Sequence, residues 1–224
     1  MRLFQVKKRI IAKGYIVVEI TLKKSAIILA GGFSRRFGSD KGLVLLKNKP
    51  LVRHVIDNVS TVVDEILVVV SSEQQKINFE PIVGENTKII IDEDESQSPL
   101  IGTITGFSVA TGNVSVLLPC DAPLVSTKVV QLLFELSYDK NAVIPRWPSG
   151  YLEPLQAVYR TEPTLIAAKK ALLQKHLDMR SMIENLNQIR YISTVALQQL
   201  DPKLNSFFNV NTLQDLKKVE IFLN

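Results

Sequence analysis

The sequence predicts an α/β fold of the Rossmann-like, three-layer kind, a mostly parallel sheet with helices on both faces. Two observations carry this. From Ser25 onward, short runs rich in isoleucine and valine alternate with stretches of helical character. Each strand–helix pair fills about 25 to 30 residues, enough for a crossover that returns the chain to a parallel neighbour. A third observation gives the fold its direction: the glycine-rich and acidic segments follow the strands, and in such sheets ligands bind outside the strands' carboxyl ends.

Taken in order, Ala26–Ala30 is apolar throughout, as a parallel strand buried on both faces must be. A glycine-rich loop follows. Pro50 opens a helix to Val62 with Leu51, Val55 and Val59 on one face, and proline suits a first helical turn. Glu65–Val70 is the second buried strand. Lys88–Ile91 is the third and ends in Asp92-Glu93-Asp94-Glu95. Pro99 starts a helix near Leu100–Thr111. Val114–Leu118 is the fourth strand, closed by Pro119-Cys120-Asp121-Ala122-Pro123. A helix over Ser126–Leu136 leads to a fifth strand, Ala142–Pro145. Beyond it Glu153–Tyr159 reads as an antiparallel strand, Pro163–Leu173 and Met179–Leu186 as helices, and Gln188–Ser193 as another strand. Thr212 caps a last helix, Leu213–Phe222, with Asp215 in its first turn. This order brings the loop after Ala30, the acids after Ile91 and Asp121 to one rim.

Composition narrows the class. With 46% hydrophobic residues the chain can bury one sizeable core. No apolar run approaches the ~20 residues that span a bilayer. The basic first residues lead into no signal-peptide pattern, so a cytoplasmic protein without membrane attachment is expected. One cysteine, Cys120, excludes an internal disulfide framework and a thiolate zinc cluster. Two histidines, His54 and His176, are too few for a histidine-based metal site.

The net charge of +5 suggests a nucleic-acid partner, but its distribution argues against one. Residues 1–24 hold seven basic residues and one acid, which leaves 20 basic against 21 acidic residues in the body. A nearly neutral body attracts a polyanion weakly. Residues 1–24 therefore read as a basic amino-terminal extension, and 25–224 as a single domain. Within the extension, Phe4–Val6 and Tyr15–Ile20 read either as a short hairpin around Ala12-Lys13-Gly14 or as a loosely attached segment.

The loop after the first strand carries the chemistry. It runs Leu29-Ala30-Gly31-Gly32-Phe33-Ser34-Arg35-Arg36-Phe37-Gly38-Ser39-Asp40-Lys41. Paired glycines directly after a strand let backbone N–H groups approach phosphate oxygens. Ser34 adds a hydroxyl donor, and Arg35, Arg36 and Lys41 add positive charge for a triphosphate. It is not a Walker loop, and it lacks the Gly-x-Gly-x-x-Gly of hydride-transfer dinucleotide sites.

This segment resembles the Leu-Ala-Gly-Gly-x-Ser-x-Arg-x-Gly-x-Asp-Lys signature of the molybdenum cofactor guanylyltransferases, and every defined position is matched between Leu29 and Lys41. Phe37 departs from the family's usual methionine. Lys47-Asn48-Lys49-Pro50-Leu51 resembles the family's Gly-x-Pro-Leu, with Asn48 for the glycine. Pro119-Cys120-Asp121-Ala122-Pro123 resembles its Pro-Cys-Asp-x-Pro metal motif. Ser98-Pro99-Leu100-Ile101-Gly102 resembles Gly-Pro-Leu-x-Gly, with Ser98 departing from the glycine. Glu153–Tyr159 is similar to its Pro-x-x-Ala-x-Tyr strand. Asn209-Val210-Asn211-Thr212 with Asp215-Leu216 is similar to its closing Asn-x-Asn-Thr-x-x-Asp-Leu.

The resemblance implies transfer of GMP from GTP to molybdopterin carrying molybdenum, with release of pyrophosphate and with Mg²⁺ as cofactor. It implies that Leu29, Ala30, Gly31, Gly32 and Ser34 cradle the nucleotide and that Arg36 and Lys41 neutralise phosphate charge. Asp121 would anchor the metal and Asp92 contact the nucleoside, with Asp94 as the rival in the same acidic run. Ser71 stands where the family often has asparagine near the base or ribose. Asn209 and Asn211 would meet the acceptor, and the domain divides into a nucleotide half, 25–145, and an acceptor half, 146–224. Transient contact with other molybdenum cofactor enzymes is a further implication.

Other side chains read as structural: Cys120 as a packed small residue, Trp147 as packing or exposed, Arg180 as surface, and His54 as a surface or capping residue. Three alternatives stand beside the guanylyltransferase. A cytidylyltransferase on the same pterin carries Leu-Ala-Ala-Gly and lacks Pro-Cys-Asp, so Gly31 and Cys120 favour guanosine. A sugar-phosphate nucleotidyltransferase shares the loop but has longer carboxyl-terminal acceptor elements. A non-catalytic nucleotide-binding protein is argued against by Lys41 and Asp121.

Overall fold

A computed structural model of the chain describes residues 5–12, 15–31, 33–34, 39–92 and 98–222, and only the backbone of 5–21, 33–34 and 39. Seven strands form the main sheet. They are β1 (Lys24–Leu29), β2 (Glu65–Val70), β3 (Thr87–Ile91), β4 (Val114–Pro119), β5 (Ala142–Arg146), β6 (Ala157–Arg160) and β7 (Ile189–Ser193). Their spatial order is β7-β5-β6-β4-β1-β2-β3. All neighbours are parallel except β6, which runs antiparallel to both β4 and β5.

Burial explains this composition. Along β1, Ala26 and Ile28 face one side and Ile27 the other, and all three are fully buried. In β2, Ile66, Val68 and Val70 share the face of Ala26, while Leu67 and Val69 share that of Ile27. Both faces of a parallel sheet must be covered, and each has its own core. Helices α1 (Leu51–Val59), α2 (Glu73–Val83) and α4 (Thr127–Glu135) lie on the first face. Helices α3 (Pro99–Val109), α5 (Thr161–Leu173) and α6 (Met179–Glu184) lie on the second. The three-layer α/β architecture is thus as expected.

Helix α3 sits close to the sheet because it presents glycines there. A Cβ on Gly106 would stand 2.4 Å from Ile27 Cγ2, well inside contact distance. Ser98 begins this helix, its hydroxyl accepting a hydrogen bond from Ile101 N–H at 3.2 Å. The serine that departs from the family's glycine therefore serves as an N-cap.

Some expectations needed adjusting. The first helix ends at Val59, not Val62, because Val62 N–H turns back to Val59 at 3.0 Å and Asp64 then accepts from Lys24 N–H. The antiparallel strand starts at Ala157, since Gln156 N–H closes a turn on Glu153. Apolar periodicity does not mark α7 (Thr194–Leu197), a single capped turn. The apolar pattern does not mark helix α2 either. Its buried side is only Gln75, Phe79 and Val83, and Pro81 lies inside it, so the apolar periodicity is thin. The usable signal was Ser72-Glu73-Gln74-Gln75, a Ser-x-x-Gln start in which Ser72 caps Gln75 N–H at 3.1 Å. At the amino end, Gln5–Ala12 pairs antiparallel with Tyr15–Thr21 as a separate two-stranded sheet, the hairpin alternative.

At the amino end of the main sheet Glu65 is buried and ties four segments. Its carboxylate accepts from Thr111 N–H at 2.8 Å, Ser25 Oγ at 2.7 Å and Lys88 Nζ at 3.2 Å. Burial alone would raise its pKa, but these hydrogen bonds outweigh it and bring the value from 4.5 to about 2. Replacing Glu65 by alanine should destabilise the fold by about 3 kcal/mol at neutral pH, measured by urea unfolding. A depressed carboxylate stabilises fully above its unfolded value, so the gap between wild type and variant should narrow as pH falls from 4.5 towards 2.

Candidate active site

Strand β1 lies between β4 and β2, so the chain reverses its direction of travel across the sheet there. That switch point opens a crevice at the strands' carboxyl ends. The strand exits are stitched together by backbone hydrogen bonds. Ala30 N–H reaches Val69 at 2.8 Å, Cys120 N–H reaches Leu29 at 3.0 Å, and Asp92 N–H reaches Val70 at 2.7 Å. A cleft of about 230 Å³ results, and Gly31, Lys41, Ser71, Asp92, Gly102 and Asp121 are among its walls.

Lys41 and Asp121 meet in this cleft. Lys41 begins a short 3₁₀ turn, Lys41–Leu43, and its Nζ donates to Asp121 Oδ2 in an ion pair. The same Nζ donates to Asn211 Oδ1 at 2.7 Å. The pair is mostly sheltered, with 21% and 11% side-chain exposure, so the partnership matters to both charges. The other carboxylate oxygen, Asp121 Oδ1, is buried and has no hydrogen-bond partner among the described residues. A buried anionic oxygen left this way is a position where a cation or donor from a ligand would be stabilised.

The carboxyl-terminal segment belongs to this site through its backbone. Val210 N–H donates to the Asp121 carbonyl at 2.8 Å, which lays Asn209–Asn211 along the loop after β4. Thr212 and Asp215 then cap helix α8 (Leu213–Phe222), Asp215 N–H donating to Thr212 Oγ1 at 3.1 Å. The hydrogen bond from the Thr212 hydroxyl, above all, holds the Asp215 carboxyl below its usual pKa. Capping also engages the Asn211 N–H, which donates to Asp215 Oδ2 at 3.1 Å, and leaves the two asparagine side chains for other work. Asn211 reaches Lys41, whereas Asn209 Oδ1 accepts from Gln156 Nε2 at 3.3 Å. The two asparagines thus have different partners, and of the two it is Asn211 that bonds to the charged centre.

On the opposite wall Asp92 is buried and accepts from Thr105 Oγ1 at 3.0 Å. Ser71 donates through N–H and Oγ to Gln75 Oε1, at 2.8 and 2.9 Å. Gln75 Nε2 in turn donates to Asp40 Oδ1 at 2.7 Å. Asp40 and Gln75 were not singled out by sequence reasoning; Asp40 is a defined position of the signature, which was the available signal. Gly32, Arg35, Arg36 and Asp94 lie outside the described residues, as does the side chain of Ser34.

The residues read as structural behave so. Cys120 is buried, and burial, with the Asp121 charge adding to it, pushes its thiol pKa well up. Trp147 donates to Glu153 Oε1 at 2.6 Å and packs edge-on against Phe207. Arg180 pairs with Glu184 on the surface. His54, expected at the surface or as a cap, is instead half-buried: its Nε2 lies 3.0 Å from the Leu46 carbonyl, and burial lowers its pKa.

A glycine-rich loop after the first strand, at a sheet switch point, with a lysine–carboxylate pair in the cleft, fits the nucleotidyltransferases of the α/β class. The chain belongs to the MobA-like NTP transferase family, whose model, described as "MobA-like NTP transferase domain", matches residues 26–189. It is similar to the probable molybdenum cofactor guanylyltransferase of Methanosarcina mazei, at 30% identity over 88% of this chain and 89% of that one. The protein of the same description from Methanothermobacter thermautotrophicus is 33% identical over 86% of this chain and 97% of its own. Among solved structures, molybdopterin-guanine dinucleotide biosynthesis protein A from Archaeoglobus fulgidus superposes with a TM-score of 0.75 at 27% identity, over 89% of this chain and 98% of that one.

A raised thiol pKa keeps Cys120 protonated at neutral pH. Native protein at pH 8 should therefore react with Ellman's reagent at least about a hundredfold more slowly than protein in guanidinium chloride, as thiolate is the reacting form. Reaction at comparable rates in the two states would contradict this burial.

Proposed function

We propose that this enzyme transfers GMP from GTP to molybdopterin carrying molybdenum, releasing pyrophosphate. The observation that carries the reading is the convergence of Lys41, Asp121 and Asn211, from three distant parts of the chain, at one cleft. The names of the similar proteins supply the substrates. An oxygen of the pterin's terminal phosphate attacks the α-phosphorus of GTP as the bond to the bridging oxygen of pyrophosphate breaks. The attacking oxygen is already anionic, so little proton chemistry is needed. Catalysis then rests on positioning and charge neutralisation.

In this reading the backbone of Leu29, Ala30, Gly31 and Gly32, with Ser34, cradles the nucleotide. Arg36 and Lys41 offset phosphate charge as it shifts to the leaving pyrophosphate. Asp92 and Ser71 line the nucleoside side, and Asn209 and Asn211 the acceptor side. Mg²⁺ takes one or two carboxylates and completes its shell with phosphate oxygens and water, and when bound it screens the triphosphate. Among the described residues no cluster of three or more His, Cys, Asp or Glu side chains exists, but the buried, unpartnered Asp121 Oδ1 fits an ion of that habit. Asp121 would hold it. No described helix is long and apolar enough to cross a membrane.

Asp121→Ala should lower turnover by about a thousandfold or more while leaving the far-ultraviolet circular dichroism unchanged, the scale of losing a principal electrostatic group. Lys41→Met should lower it by about a hundredfold. Full activity in Asp121→Ala would refute the role given to it. A thermal-shift panel of GTP, CTP, ATP and UTP with Mg²⁺ tests the base. GTP at a hundredfold excess over its Kd should raise the midpoint by about 5 to 10 °C. A shift selective for CTP would instead support the cytidylyltransferase.

A further inference from the structure

Gln75 is a buried amide, 7% exposed, on the side of α2 that faces the sheet. It does not wall the cleft. Its carbonyl end accepts two hydrogen bonds from Ser71, and its NH₂ end donates to Asp40. Ser71 is on the nucleoside wall, and Asp40 immediately precedes Lys41. One turn further along α2, Phe79 supports the same segment from below. A Cβ on Gly42 would lie 3.0 Å from the Phe79 ring, so the backbone after Lys41 rests directly on it. The second Asp40 oxygen is approached by Asn78 Nδ2 at 3.4 Å.

We propose that Gln75 is a positioning residue which, by bonding Ser71 and Asp40 at once, fixes Lys41 relative to the nucleoside wall of the cleft. The inference rests on the transferase reading given above. The chemistry of the position selects glutamine. One end must accept from an N–H and a hydroxyl, and the other must donate to a carboxylate. Glutamate would satisfy Ser71 but set two carboxylates against each other at Asp40. A methyl-ended side chain of the same length would satisfy neither. Since α2 contributes both Gln75 and Phe79, the helix acts as a single brace beneath the Asp40–Gly42 segment.

The test compares steady-state kinetics of the full chain with molybdopterin and each triphosphate. Variants are Gln75→Met, Gln75→Glu, Asp40→Asn and the double variant Gln75→Glu with Asp40→Asn. Gln75→Met should lower kcat by about tenfold and raise KM for the nucleotide several-fold, since both arms are lost and a small misplacement of a charged group is costly. Gln75→Glu, which keeps the Ser71 arm, should lower kcat by about tenfold with KM near that of wild type. In the double variant the amide introduced at position 40 can donate to the carboxylate introduced at position 75. There kcat should return to within about threefold of wild type, a coupling that a double-mutant cycle reads directly. A merely structural glutamine would lower the unfolding midpoint without separating kcat from KM and without rescue by the reversed pair. That result, or unchanged kinetics in Gln75→Glu, would overturn the inference. Absence of transfer by the wild type with all four triphosphates would overturn the transferase reading and this inference with it.

Discussion

A strand buried on both faces has no water for its backbone, so each N–H and C=O must be paired within the sheet. Strand β1 meets that constraint by running parallel to β4 on one side and β2 on the other. Most of the site follows from it. Parallel neighbours end at the same edge, and the three exits are locked by the bonds from Ala30 to Val69, Cys120 to Leu29 and Asp92 to Val70. Loops separated by about 90 residues of chain thus become walls of one cleft, which is the general location for ligands in open α/β sheets.

Charge then organises the cleft. A lysine and an aspartate as sheltered as Lys41 and Asp121 need one another, because a lone charge at low exposure is costly. Their pairing pulls the end of the signature loop against the loop after β4. Asn211 Oδ1 adds a third group, and Val210 secures the segment by donating its N–H to the Asp121 carbonyl. The carboxyl-terminal segment is therefore part of the rim of the cleft. Small buried residues keep this rim close: Gly42 lies against Phe79 and Cys120, and Gly102 beside Leu29. The protonated thiol of Cys120 adds no charge to a place that already holds an ion pair.

Much of this was legible in the sequence. Runs such as Ala26–Ala30 and Glu65–Val70 are apolar because both faces are covered, so composition alone marks them as central parallel strands. Asp121 stands in a motif just after a strand, and Lys41 closes the glycine-rich signature that begins at the end of β1. Helix α2 was not legible, because its buried side includes a glutamine and its interior a proline. Apolar periodicity cannot register a polar residue whose burial is justified by hydrogen bonds to Ser71 and Asp40. Asn209 and Asn211 look equivalent in the sequence, being two apart, yet one bonds Lys41 and the other Gln156.

By itself, then, the sequence determined the strand order along the chain, the glycine-rich and basic make-up of the loop after β1, and the residue types able to carry charge chemistry. These depend on local pattern, glycine geometry and motif spacing. Only the tertiary structure decided which groups bond to which: Lys41 to Asp121 and Asn211, and Ser71 through Gln75 to Asp40. Such pairings are between residues up to 170 positions apart. They arise from how sheet and helices pack, and from the need of each buried polar group for a partner, which no local pattern encodes.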